Sequence, residues 1–224
     1  MVPAVIFDMD GVLVDSFQAH LLAWESMARG EGLRFDPVRF TANFGRTSRE
    51  LIAELWPDSS YSDAQYEALA DHREAAYRRI VQVNFPEMPG ARELIQSLHH
   101  DGFALALGSS GPPENADLVL EKLAARNLFD AVVTGKDVRR GKPDPEVFLT
   151  AAARLGIAPR FCAVIEDAPP GIAAANAGGM LSIGLSSPGP AHRLLSDARL
   201  VVHSLTDLSP SLIRKELGKF ASNT

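Results

Sequence analysis

Val5-Ile6-Phe7-Asp8-Met9-Asp10-Gly11-Val12-Leu13-Val14-Asp15-Ser16 is the segment on which the fold turns. Its apolar opening reads as a buried parallel strand, since such strands are covered on both faces and lack polar alternation. Two acids stand where that strand ends, and Gly11 lets the chain turn sharply after them. Open α/β sheets hold their ligands just outside the carboxyl ends of such strands. Two carboxylates about 4 Å apart repel by about 4 kcal/mol at an effective dielectric near 20. A bound cation, a shared proton or a reaction has to offset that repulsion; the alternative is an acidic turn that caps the strand.

Residues 16–85 read as helical and separate. Leu21, Trp24, Met27 and Ala28 share one helical face. Thr47 with Glu50 has capping-box spacing, which starts a helix near Ser48 with Leu51, Ile52, Leu55 and Trp56 as its apolar stripe. Ser62 with Gln65 opens a longer helix, with Tyr61 and Tyr66 spaced as its hydrophobic staple and Tyr66, Leu69, Ala70, Tyr77, Ile80 and Val81 on its apolar side. Pro86, Pro89 and Gly90 then punctuate the chain. Beyond them strand and helix alternate: helices at 90–99, 113–126, 145–155 and 170–177, strands at 103–108, 131–134, 161–165, 181–185 and 200–203, and a last helix near 207–218. Alternation of this kind predicts an α/β architecture, a doubly wound, Rossmann-like parallel sheet with helices on both faces. The expected organisation is a core of residues 1–15 and 86–224, interrupted by an α-helical bundle of residues 16–85.

Composition narrows the function classes. The 224 residues are 46% hydrophobic and 22% charged, ordinary for a globular protein, and long enough for a core plus a smaller second domain. A net charge of −6 argues against nucleic acid as a partner, because phosphate backbones need a basic face; a small phosphate ester needs only a local positive site. Cys162 is the only cysteine, in an apolar run where it reads as a small buried hydrophobe, so no internal disulfide forms. No apolar run of 18 residues occurs, so no membrane span is expected. The N-terminus carries acids by position 8 and lacks a basic region; a secretory signal is not expected, and a cytoplasmic protein is.

Three further pieces end strands or follow them. Phe103–Gly108 leads into Ser109-Ser110-Gly111, whose hydroxyls suit either donation to a phosphate beside a helix start or plain capping ahead of Pro112 and Pro113. Gly141-Lys142-Pro143-Asp144-Pro145 holds a lysine in a rigid turn before a helix. Such a lysine is either a solvated surface charge or a fixed ammonium facing carboxylates. Phe161–Ile165 ends in Glu166-Asp167, a pair that suits a helix dipole or a hard cation. Asp8, Asp10, Glu166 and Asp167 carry four negative charges and Lys142 offsets one, so a divalent ion is the component the set lacks.

These four pieces, in this order from Asp8 to Gly178, resemble the four motifs of the haloacid dehalogenase-like (HAD) phosphohydrolases. The resemblance implies that Asp8 is the nucleophile and Asp10 the acid/base, that Ser109 binds the phosphoryl group and that Lys142 neutralises it. It also implies magnesium, Mg2+, held by Asp8, the backbone carbonyl of Asp10 and Asp167, with Glu166 as an accessory ligand or support. An aspartyl-phosphate forms on Asp8 and is then hydrolysed. The helical insert after the first motif matches the subfamily with an α-helical cap. Ser16, His20, Trp24, Arg49 and Arg73 there resemble the pattern of β-phosphoglucomutase and related sugar phosphatases, and with Ser110 they are the substrate-binding candidates.

Two departures bear on the reaction. Pro112 and Pro113 replace a more polar, lysine- and asparagine-bearing loop, and Arg73 replaces a cap lysine. They favour a phosphatase acting on a small sugar or polyol phosphate over a mutase of the β-phosphoglucomutase type. A phosphonatase needs a cap lysine, and residues 16–85 contain none. A dehalogenase needs neither Asp10 nor the Glu166–Asp167 pair, and a phospho-acceptor switch domain would be about half as long with no insert. The expected partner is a small phosphorylated metabolite, bound by a monomer or weak homodimer without nucleic acid or membrane.

Overall fold

A computed structural model describes residues 2–44, 47–186 and 195–222. The chain divides into two compact units, Met1–Asp15 with Glu87–Thr224, and Ser16–Pro86. The first unit is built on a parallel sheet of β1 (Ala4–Phe7), β2 (Ala104–Gly108), β3 (Ala131–Val133), β4 (Cys162–Glu166), β5 (Leu181–Leu185) and β6 (Leu200–Val202), ordered β3-β2-β1-β4-β5-β6. This is the doubly wound order in which the direction of winding reverses between β1 and β4. Both faces of β1 are covered, which is why Ala4–Phe7 reads as an unbroken apolar run. Phe7 pairs with Leu107 on one side and Ile165 on the other. The residues that follow Phe7, Leu107 and Ile165 therefore emerge side by side at the reversal point.

Past β1 the chain curls on itself. The Gly11 amide donates to the Val14 carbonyl at 2.8 Å and the Leu13 amide to Met9 at 2.8 Å. Val14 then forms an antiparallel bridge with Glu87, and the Met88 amide donates to Leu13 at 3.1 Å. The chain thus leaves the sheet unit and returns to it at neighbouring points.

The second unit contains α1 (Phe17–Gly30), α2 (Pro37–Asn43), α3 (Ser48–Leu55) and α4 (Asp63–Val83). Both anticipated capping boxes are present, Thr47 with Glu50 and Ser62 with Gln65, and the Tyr61 and Tyr66 rings meet edge-on at 5.6 Å. Its own core gathers Trp24, Met27, Phe40, Leu51, Ile52 and Leu69. Helix α2 is an addition to the sequence reading. Asp36 caps it, accepting from the amides of Val38 and Arg39, and Pro37 takes its first position.

In the sheet unit, α5 (Ala91–His100), α6 (Pro113–Lys122), α7 (Glu146–Leu155), α8 (Pro169–Ala177) and α9 (Pro210–Ser222) complete the architecture. Phe148 and Ala151 of α7 and Ala174 and Ala175 of α8 pack with Ile6, Ala106 and Val164 on one sheet face. Helices α5 and α9 meet the sheet as well, α5 at β2 and α9 at β4 and β5. Two helices differ in extent from expectation. The helix expected at 113–126 ends at Lys122, because Ala124 adopts a left-handed φ of 52°. The terminal helix starts at Pro210 rather than near 207, since Leu205–Asp207 forms a separate short 3-10 turn.

Candidate active site

The site starts with the register. The Asp8 amide donates to the Ile165 carbonyl at 3.0 Å, so Asp8 extends β1 by one residue beside Glu166 at the end of β4. Between their carboxylates lies the Lys142 ammonium, 2.5 Å from Asp8 Oδ1 and 2.9 Å from Glu166 Oε1. The lysine side chain is only 10% exposed. The second Glu166 oxygen accepts the Ala168 amide at 2.6 Å, so the glutamate joins the lysine to the entrance of α8. Two glycines allow this crowding. A Cβ on Gly171 would run into the Glu166 carboxylate, and one on Gly11, which has a φ of +78°, into that of Asp167.

Burial pushes the Asp8 carboxyl up to about 7, with Glu166 and Asp10 adding to the rise and Lys142 opposing it. Burial alone would lower the Lys142 ammonium, but Asp8 and Glu166 beside it hold it above the usual lysine range. Side-chain oxygens of Asp8, Glu166 and Asp167 lie within 4.8 Å of one another. Three hard oxygen donors that close, carrying more negative charge than one ammonium offsets, suit a hard divalent cation such as magnesium. Asp10 is half-buried in the curl after β1 and pairs by its backbone with Val14. It contributes no side-chain atom to that oxygen cluster.

Ser109 follows β2 and is buried. Its amide donates to Val133 at 3.0 Å and its Oγ accepts the Gly111 amide at 3.0 Å, leaving the hydroxyl proton to donate elsewhere. Ser110 is exposed. Pro112 and Pro113 open α6 without a side-chain cap, so the capping alternative for the serines does not apply. Asn115, buried in the first turn of α6, escaped the sequence reading; a polar residue three positions past the first proline was its only signal.

The helical unit gathers a second polar group. Arg73 is 7% exposed, and its guanidinium reaches Ser48 Oγ at 2.8 Å, His20 Nδ1 at 3.3 Å and the Glu74 carboxylate. A donor facing Nδ1 places the proton of a neutral His20 on Nε2. The His20 ring stacks on Tyr77 with centroids 4.3 Å apart, and the guanidinium lies 5.5 Å from the Trp24 ring. Ser16 is buried, and its carbonyl accepts the His20 amide at 2.9 Å. Arg49 makes different contacts: it is exposed, pairs with Asp63 and lies 4.4 Å over Tyr66. Ser48 and Glu74 were not singled out as site residues, because their contacts cross between helices or run to the adjacent residue, where no periodicity marks them; Tyr77 was legible only as part of the apolar side of α4.

Buried acids bridged by a buried ammonium, at the winding reversal of a parallel sheet, define an α/β enzyme built on carboxylate chemistry. The chain belongs to the haloacid dehalogenase-like hydrolase family, whose pattern matches residues 2–179. It is 33% identical over 219 residues to β-phosphoglucomutase of Bacillus subtilis, covering 95% of this chain and 94% of that protein. It is 34% identical over 208 residues to hexitol phosphatase A of Escherichia coli, covering 91% and 92%. Among solved structures it superposes on β-phosphoglucomutase from Clostridium difficile with a TM-score of 0.83 and 28% identity, over 98% of this chain and 99% of that one. Mutase and phosphatase are thus matched at nearly the same identity. No helix among the described residues is long and apolar enough to cross a membrane.

Proposed function

We propose that this protein is a magnesium-dependent phosphohydrolase that cleaves small sugar or polyol phosphate monoesters through an aspartyl-phosphate on Asp8. The observation that carries the proposal is the buried Asp8–Lys142–Glu166 bridge beside Asp167 at the ends of β1 and β4. Asp8 attacks phosphorus in line with the leaving oxygen. Asp10 protonates that oxygen, then takes a proton from the water that hydrolyses the intermediate. Lys142 and the Ser109 hydroxyl hold the equatorial oxygens, with Ser110 beside them. Asp8, Asp167, Glu166 and the Asp10 carbonyl are the residues to hold magnesium, which when bound neutralises phosphoryl charge. Residues 16–86 serve as the cap that selects the leaving group, through Ser16, His20, Arg49 and Arg73. The protein works as a monomer or weak homodimer in the cytoplasm.

A mutase is the second reading, favoured by the 33% identity to the Bacillus subtilis enzyme. Against it, Pro112 and Pro113 supply neither a backbone N–H nor a cationic side chain for a second phosphate. Phosphorus NMR over time separates the two. The protein is given magnesium, β-glucose 1-phosphate, a trace of glucose 1,6-bisphosphate and a panel of sugar and polyol phosphates, with an EDTA control. Inorganic phosphate should grow from at least one substrate and stop growing with EDTA. Conversion of β-glucose 1-phosphate to glucose 6-phosphate without free phosphate would establish the mutase instead.

A further inference from the structure

The loop that carries Lys142 is held from outside the acid cluster. Glu146, the first residue of α7, turns its carboxylate back along the chain. Its Oε1 accepts the Arg139 amide and its Oε2 the Arg140 amide, each at 3.1 Å. Helix capping does not require this, because Asp144 Oδ1 already accepts the Glu146 amide at 3.0 Å. The Asp144 amide in turn donates to Gly141 at 3.0 Å. The Arg140 guanidinium folds back onto both acids, 3.1 Å from Asp144 and 3.6 Å from Glu146. Residues 139–146 thereby close into a ring with Lys142 inside it.

A lysine side chain is long and carries about 2 kcal/mol of rotamer entropy, so its ammonium is only as well placed as its base. Helix α7 serves that placement twice. Phe148 lies under the ammonium, 4.8 Å from Nζ to the ring centre, and Glu146 clamps the backbone just before the lysine. Both bonds from Glu146 are charge-assisted, which makes them stronger than neutral amide contacts. We infer that Glu146 is a positioning residue, which by gripping the Arg139 and Arg140 amides sets where Lys142 stands between Asp8 and Glu166. The inference rests on the role of Lys142 proposed above.

The test compares wild type, Glu146→Ala and Glu146→Gln in turnover of p-nitrophenyl phosphate with magnesium, beside their thermal melts. Displacing a group in the transition state by about 1 Å costs on the order of 100-fold. Glu146→Ala should therefore lower kcat by roughly 10- to 100-fold, with KM within about three-fold of wild type and the melt within a few degrees. Glutamine keeps one acceptor but turns an amide donor toward the other N–H, so Glu146→Gln should recover only part of the rate. A wild-type kcat in Glu146→Ala overturns the inference. So does a rate loss that merely tracks a collapsed melting temperature and that glutamine does not relieve. If Glu146→Ala does not fold, Glu146→Gln decides: a several-fold loss of kcat with an intact melt supports the inference, and a wild-type kcat overturns it. A wild type that releases neither nitrophenol nor phosphate from any sugar or polyol phosphate of the panel overturns the functional reading itself, whereas an active wild type with unimpaired variants, on whichever of these substrates it turns over, overturns only the role of Glu146.

Discussion

Asp8 is buried among carboxylates and kept in place by one ammonium. Its value to folding is small or negative, since desolvating a charge costs more than a single partner returns. Replacing it should therefore remove the chemistry and spare the fold. Asp8→Asn is expected to lose all but trace phosphatase activity while its melting temperature stays level or rises, as read by phosphate release and circular dichroism. Appreciable residual turnover would remove Asp8 from the nucleophile's role. The acids after β1 and β4 and the lysine between glycine and proline could be picked out from sequence, because each sits at a strand end or rigid turn that local pattern reveals. How they divide the work could not. That Glu166 gives one oxygen to Lys142 and the other to Ala168 depends on how the separate loop carrying Lys142 folds back on the end of β4, which no local pattern shows.

At the level of elements, the turn after β3 shows how the Lys142 loop is fastened at its far end. Asp137 accepts the Thr134 amide and hydroxyl, each at 2.8 Å, and Arg154 of α7 at 2.6 Å. The Arg154 and Thr134 donors hold its carboxyl down at about 2, against an ordinary 3.8. A depressed acid contributes stability that is complete above its unfolded value and is lost as pH falls through its folded value. The stability gap between wild type and Asp137→Asn should therefore be constant from neutral pH to about 4 and shrink below that. Urea unfolding at several pH values measures it, and a gap that persists unchanged to about pH 2.5 would discount the network. The capping boxes of α3 and α4 were legible because each is written within four residues. Helix α2 was passed over although Asp36-Pro37 announces it, because it is short and carries little periodicity. The Arg73 group was half legible: Arg73 and His20 stood out in the pattern of the insert, but their meeting with Ser48 joins residues of three different helices.

For the molecule as a whole, strand–helix alternation was enough to predict a parallel doubly wound sheet, while the strand order came only with the structure. The helical unit has its own aromatic core, with Phe40 touching Phe17, Trp24, Phe35 and Phe44. Domains of about this size do fold alone, though with little margin. Residues 16–86 expressed separately should show a helical spectrum and a cooperative melt; a coil-like spectrum would mean that the unit depends on the rest of the chain. The bridge between Val14 and Glu87 gives that independence a kinetic consequence. Strand β1 must find β2 across the whole insert before it can join the sheet, and long-range pairing of this kind slows folding. An insert that folds first and brings its ends together removes most of that search. Each halving of the effective loop returns about 0.6 kcal/mol of closure entropy, so the detour through the insert behaves during folding as a short connection.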